Sequence, residues 1–115
     1  MSNNEPLINF SGISEMLYGD ENFISEFSTA AVSSFTEFRE NYRKYLLIRD
    51  EENFRKAGHK IKPVAMMLGV DQVVDEYEHA KTLIWEEKPE EDLKASAQKM
   101  QELCTRIIAE LEEKT

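Results

Sequence analysis

Apolar residues recur at alternating spacings of three and four along most of the chain, the pattern of helices that each bury one stripe. The first such segment runs from about Asp20 to Leu47, with Ile24, Phe27, Ala31, Phe35, Phe38, Tyr42 and Tyr45 on one face and Asp20 placed to cap its start. The second runs from Asp50 to Leu68 and turns Phe54, Ala57, Ile61, Ala65 and Leu68 inward. Gly69 then supplies the left-handed residue that commonly ends a helix. The third, from Val70 or Asp71 to Glu86, carries Val70, Val73, Val74, Tyr77, Ala80 and Ile84. The fourth opens at Pro89, suited to a first helical position, ahead of Glu90, Glu91 and Asp92, whose charges favour a helix N-terminus. Its stripe is Leu93, Ala97, Met100, Cys104, Ile107 and Leu111.

Short connections at Ile48–Arg49, Gly69 and Glu87–Lys88 bring neighbouring helices antiparallel. The predicted fold is therefore all-α: an antiparallel up-down four-helix bundle with a short additional N-terminal helix near Ile13–Tyr18, capped by Ser11 and stopped by Gly19. Ser34 and Asn41 interrupt the first stripe and no heptad repeat is sustained, which disfavours a long coiled coil. No repeat or linker divides the chain, so residues 1–115 are read as one domain.

Composition agrees with helices, since four glycines and three prolines in 115 residues are about half the usual share. A net charge of −9 argues against nucleic acid, whose phosphates call for a dense basic surface. The charge is uneven, however: Arg39 to Lys62 carries +4 and the remainder −13. Cys104 is the sole cysteine, which excludes an internal disulfide and a cysteine-based zinc cluster and fits a reducing compartment. The opening MSNNEPLINF has no basic n-region, and the apolar run Val64–Val70 is far short of the roughly 20 residues of a membrane span. The expectation is a cytoplasmic monomer that binds no membrane.

Most candidate chemistry has a plain structural explanation. Phe23, Phe27, Phe35, Phe38, Tyr42 and Tyr45 read as core, and Cys104 as a small buried hydrophobe on its stripe. Asp75, Glu76 and Glu78 read as a solvated helix face. Glu76 and His79 have the Glu-x-x-His spacing of di-metal bundles, but such a site needs two pairs and the chain has one, so no metal and no cofactor is expected. No Gly-rich phosphate loop and no Ser/His/Asp order is present.

His59 differs. It lies roughly 200° around the second helix from Ile61 and so faces outward, with Arg55 at −4, Lys62 at +3 and Met66 at +7, and Lys56 and Lys60 flanking. Cations around an exposed imidazole disfavour its protonated form, leaving a nitrogen lone pair able to attack a phosphoryl group. Nearby ammonium groups would stabilise the charge added.

The run Gly58-His59-Lys60-Ile61-Lys62-Pro63-Val64-Ala65-Met66-Met67-Leu68-Gly69 resembles the signature of histidine-containing phosphotransfer (HPt) domains, A-H-x-L-K-G followed after five residues by another glycine. His59, Lys62 and Gly69 match in identity and spacing, and Ile61 stands in for the leucine. The order of helices along the whole chain is similar too. The resemblance implies a phosphorelay intermediate of two-component signal transduction, which accepts a phosphoryl group on His59 from a receiver-domain aspartate and passes it to another receiver. It implies receiver domains of response regulators or hybrid histidine kinases as partners, magnesium supplied by the receiver, and a phosphocarrier without ATP-dependent activity of its own.

Two departures stand out. Gly58 replaces alanine, a change expected to weaken the helix by up to about 1 kcal/mol. Pro63 replaces the glycine at +4; lacking an N–H for the His59 carbonyl, it is expected to bend or loosen the helix there. The rival function is a helical-bundle interaction module that has lost phosphotransfer, for which Pro63 is the main argument.

Around His59, Lys62 and Lys60 are expected to act by charge, Arg55 to hold the acidic rim of a receiver, and Met66 to offer an adaptable apolar contact, with Met67 divided between surface and core. His59 lies about 15 Å before the Gly69 turn and Lys81 about 18 Å after it, at roughly 1.5 Å per residue, which makes Lys81 a second-helix contact to the phosphoryl group. His79 has Thr82 and not a lysine at +3, and acidic neighbours in Glu76 and Glu78. His59→Gln is therefore expected to abolish acid-labile labelling by a phosphorylated receiver, while His79→Gln keeps the parent level; the reverse pattern would refute the assignment.

Overall fold

The computed structural model describes residues 5–115, so the first four residues of the stretch inspected for a leader lie outside it. Among the described residues the chain is all-helical, with five helices and no strand: α1 (Phe10–Met16), α2 (Glu21–Leu47), α3 (Glu51–Leu68), α4 (Asp71–Trp85) and α5 (Glu90–Glu112). Helix α2 packs on α3 and α5, α4 packs on the same two, and α1 lies against α3. None of these helices is long and apolar enough to cross a membrane.

The ends form where local chemistry satisfies free backbone groups. Asp20 Oδ1 accepts from the N–H groups of Asn22 and Phe23 at 2.9 and 3.2 Å, and Asp50 Oδ1 accepts from Asn53 N–H at 3.1 Å. Gly69 adopts φ +70° and closes α3 with N–H groups of Gly69 and Val70 donating to Met66 and Ala65 carbonyls. Pro89 sits just before α5 as its N-cap and not inside its first turn. The short first helix is capped by Asn9, whose Oδ1 accepts from Gly12 N–H at 3.1 Å, and not by the predicted Ser11. Leu7 and Ile8 N–H groups donate to the Glu110 carboxylate, tying this leading segment to α5.

The α3 and α5 stripes are buried at every predicted position, and on α2 Ala31, Phe35, Phe38 and Tyr42 are buried while Ile24, Phe27 and Tyr45 pack partly against the core. Phe23 departs from the prediction: it is 55 % exposed, because it lies roughly 100° around α2 from Ile24, which packs against the core. Glu76, predicted on a solvated face, is only 6 % exposed. Its Oε2 accepts from Ser96 Oγ at 2.6 Å, its Oε1 pairs with Lys99 Nζ at 3.2 Å, and the buried Tyr42 hydroxyl lies 2.7 Å from the same serine. Burial is tolerated because each oxygen has a partner.

Aromatic rings link α2 to α4 through α3: Phe38–Tyr42, Tyr42–Phe54 and Phe54–Tyr77, with centroids 5.5, 5.0 and 5.2 Å apart. The chain ends against Gly58. A Cβ built there would lie 2.0 Å from Tyr77 Cζ, so the ring occupies the volume of a side chain that glycine lacks. The expectation that Gly58 is a mild weakening of the helix is thus corrected: α3 and α4 meet here only because residue 58 has no Cβ.

Gly58→Ala should gain up to about 1 kcal/mol of helix propensity but lose about 1–3 kcal/mol to overpacking, a net fall in thermal midpoint. In a Tyr77→Leu background, where the ring is gone, the same substitution should become stabilising. Urea melts of the four variants check this; a sign that stays the same in both backgrounds would contradict the packing described.

Candidate functional site

Helix α3 presents His59 to solvent, one residue after the buried Gly58 and two before the buried Ile61. It runs unbroken from Glu51 to Leu68 through Pro63, which is itself exposed. The predicted bend is therefore not a break: proline removes one donor to the His59 carbonyl on the wet side of the helix, where water can replace it.

The predicted cations separate into two groups. Lys60 leans towards α2, where its Nζ lies 2.6 Å from Glu37 Oε1. Lys62 leans the other way, with Nζ 2.7 Å from Glu78 Oε2 on α4, and Lys81 Nζ lies 2.8 Å from Oε1 of the same carboxylate. Both lysines stand over the Tyr77 ring, 5.8 and 5.2 Å from its centroid. The structure thus brings Lys62 and Lys81 to one place and leaves Lys60 on the opposite flank.

Tyr77 is the floor of this arrangement. Its ring is buried against Gly58 and Phe54, and its hydroxyl donates to the Arg55 carbonyl at 3.4 Å. Burial pushes the Tyr77 hydroxyl pKa further up from its ordinary value of 10.0, and the face of the neutral ring attracts the two ammonium groups. The Lys62 hydrogen bond, then that of Lys81, holds the Glu78 carboxyl below its ordinary value of 4.5.

The Arg55 side chain is exposed one turn before His59. Met66 is 69 % exposed, and Met67, also on the surface at 37 %, is not core. Gly69 serves α3 as its left-handed terminator. His79 lies apart, in a shallow depression between α4 and α5 shared with Glu76, Asp92 and Lys99. Cys104 is buried and its thiol is pushed up to about 12 by desolvation, as befits a core residue. Among the described residues no group of three or more His, Cys, Asp or Glu side chains is gathered as a metal would need.

Sequence reasoning missed Glu78 and Tyr77 as parts of the site. Glu78 sits three residues before Lys81, a spacing that pairs charges on one helix face, and this was the available signal. Its second bond, to Lys62, depends on tertiary packing. No protein-family model, no curated protein and no solved structure matches the chain.

Because the folded-state pKa of Glu78 is depressed, its contribution to stability is complete above the unfolded value and is lost as pH falls through the folded one. Its carboxylate and both lysines are partly exposed, so after solvent screening Glu78→Gln should cost about 0.5–1 kcal/mol at pH 7 and progressively less as the carboxylate is protonated in acid. Denaturant midpoints of parent and variant, converging on acidification below about pH 4.5, would check it; a constant gap would show that the carboxylate's charge is not what matters.

Proposed function

We propose that the chain is a phosphorelay intermediate, an HPt domain in which His59 takes a phosphoryl group from a receiver-domain aspartate and delivers it to a second receiver. The observation that carries this reading is the convergence of Lys62 and Lys81, from two helices, over Tyr77, with Lys62 one turn along α3 from the exposed His59. An exposed imidazole can be approached in line by a phosphoryl donor, and Lys62, one turn along the helix, with Lys81 joined to it through Glu78, can balance the charge that arrives.

In this reading the four long helices run up and down, antiparallel. Two tied ends support it: Arg49, in the α2–α3 turn, donates through its guanidinium to the Lys88 carbonyl of the α4–α5 turn, and Asn9 N–H donates to Leu68 O at 3.0 Å near the α3–α4 turn. The domain works as a monomer, without a cofactor, and as a carrier and not an ATP-dependent enzyme.

The lone-pair nitrogen of His59 attacks phosphorus, the bond from phosphorus to the aspartyl oxygen breaks, and the carboxylate leaves with the electron pair. The ring keeps a proton on its other nitrogen until water takes it. The reverse sequence loads the next receiver. Arg55 and the exposed Met66 flank the histidine along α3 as the charged and apolar contacts of the docking face.

The engagement of both lysines by Glu78 favours a second reading, an interaction module that no longer transfers phosphate. Incubation with a radiolabelled phospho-receiver separates the two: label on His59 with a half-life of minutes or longer supports transfer, and none supports the module. Within the transfer reading, Pro63→Gly should keep the fold and widen the set of receivers that exchange phosphate with His59. Equal rates across a receiver panel before and after the substitution would make Pro63 neutral to partner choice.

A further inference from the structure

Glu78 is the feature of the site that the proposed transfer does not use. Its two carboxylate oxygens each hold one lysine, at 2.7 and 2.8 Å, so the cations expected to receive a phosphoryl group are already engaged, and half compensated in charge, from within the protein. We propose that Glu78 is the resting occupant of the phosphoryl site, holding Lys62 and Lys81 in place of phosphate and releasing them when His59 is phosphorylated. This rests on the phosphotransfer reading and adds to it a residue that sets the transfer equilibrium.

The exchange is favoured by charge and geometry. A phosphoryl group brings about −1.5 to −2 charge and three acceptor oxygens, against one charge and two oxygens on glutamate. Residues three apart on a helix have Cβ atoms about 5–6 Å apart, so the flexible Lys62 stem can swing from Glu78 towards the ring of His59. The Tyr77 face beneath both ammonium groups is independent of Glu78 and keeps them at the site after the carboxylate lets go. The partial exposure of all three side chains leaves room for that movement.

Glu78 acts through the lysines and is a positioning residue. While it holds them, the unphosphorylated form is favoured; without it, both lysines are free for the phosphoryl group from the start. Removing the carboxylate should raise both the rate of loading and the lifetime of phospho-His59.

Phosphoramidate tests this without a receiver: His59 attacks phosphorus, the phosphorus–nitrogen bond of the donor breaks, and ammonia leaves and takes up the proton that the phosphorylated ring sheds. Glu78→Gln should label roughly three- to tenfold faster than the parent, the range expected when two partly exposed ion pairs are released, and lose label more slowly. The gain should vanish when Lys62→Ala and Lys81→Ala are added, and Glu78→Asp should fall between parent and Gln. Asp75→Asn, which removes the same charge from the exposed face of α4, should leave the rate near the parent's. Equal rates in parent and Glu78→Gln, an equal gain from Asp75→Asn, or a gain that survives loss of both lysines would overturn the proposal while leaving phosphotransfer intact. Absence of label on His59 in every variant, with phosphoramidate and with a phospho-receiver alike, would overturn the phosphotransfer reading itself.

Discussion

The contact between the Tyr77 ring and the bare backbone of Gly58 governs the site. Because residue 58 has no Cβ, α4 can lay an aromatic ring directly on α3, one residue from His59. That ring carries Lys62 from one helix and Lys81 from the other, and the Glu78 carboxylate beside it joins them. A larger residue at 58 would collide with the ring and force it to shift. The glycine therefore links a packing requirement to the electrostatics of the surface above it.

Behind this contact the core is unusually polar at one point. Tyr42, Ser96 and Glu76 form a hydrogen-bonded group that joins α2, α4 and α5, and the Tyr42 ring also packs at a tilt on Phe54, which packs in turn on Tyr77. Buried polar groups of this kind are costly unless fully paired, and once paired they favour one arrangement of helices over near alternatives. The ring that supports the lysines is thus held from beneath by a directional network as well as by apolar burial.

Much of this was legible in the sequence, because helical periodicity is a local property: the four long helices, the Gly69 terminator and the outward position of His59 all follow from spacing. What escaped depended on distant neighbours. Glu76 has the sequence context of a surface carboxylate, and only its partners on α2 and α5 make it a core residue. Phe23 has the chemistry of a core residue but lies off the buried face of α2, to the side of Ile24. Gly58 looks like a weak helix residue until Tyr77 is placed against it. Lys60 and Lys62 are two positions apart on one helix and so point to opposite flanks, α2 and α4, once both neighbours are present. The role of Asn9 in place of Ser11 is a matter of two residues at a helix start, where competing caps are hard to rank.

In the proposed phosphotransfer the exposed ring of His59 accepts the phosphoryl group. Phosphorus NMR of the intact chain after incubation with a phosphorylated receiver domain tests it most directly. Transfer to His59 should give a phosphoramidate-type resonance that disappears on acidification and is absent from His59→Gln. A spectrum with no protein-bound phosphorus, or with only acid-stable phosphate on a hydroxyl, would contradict it.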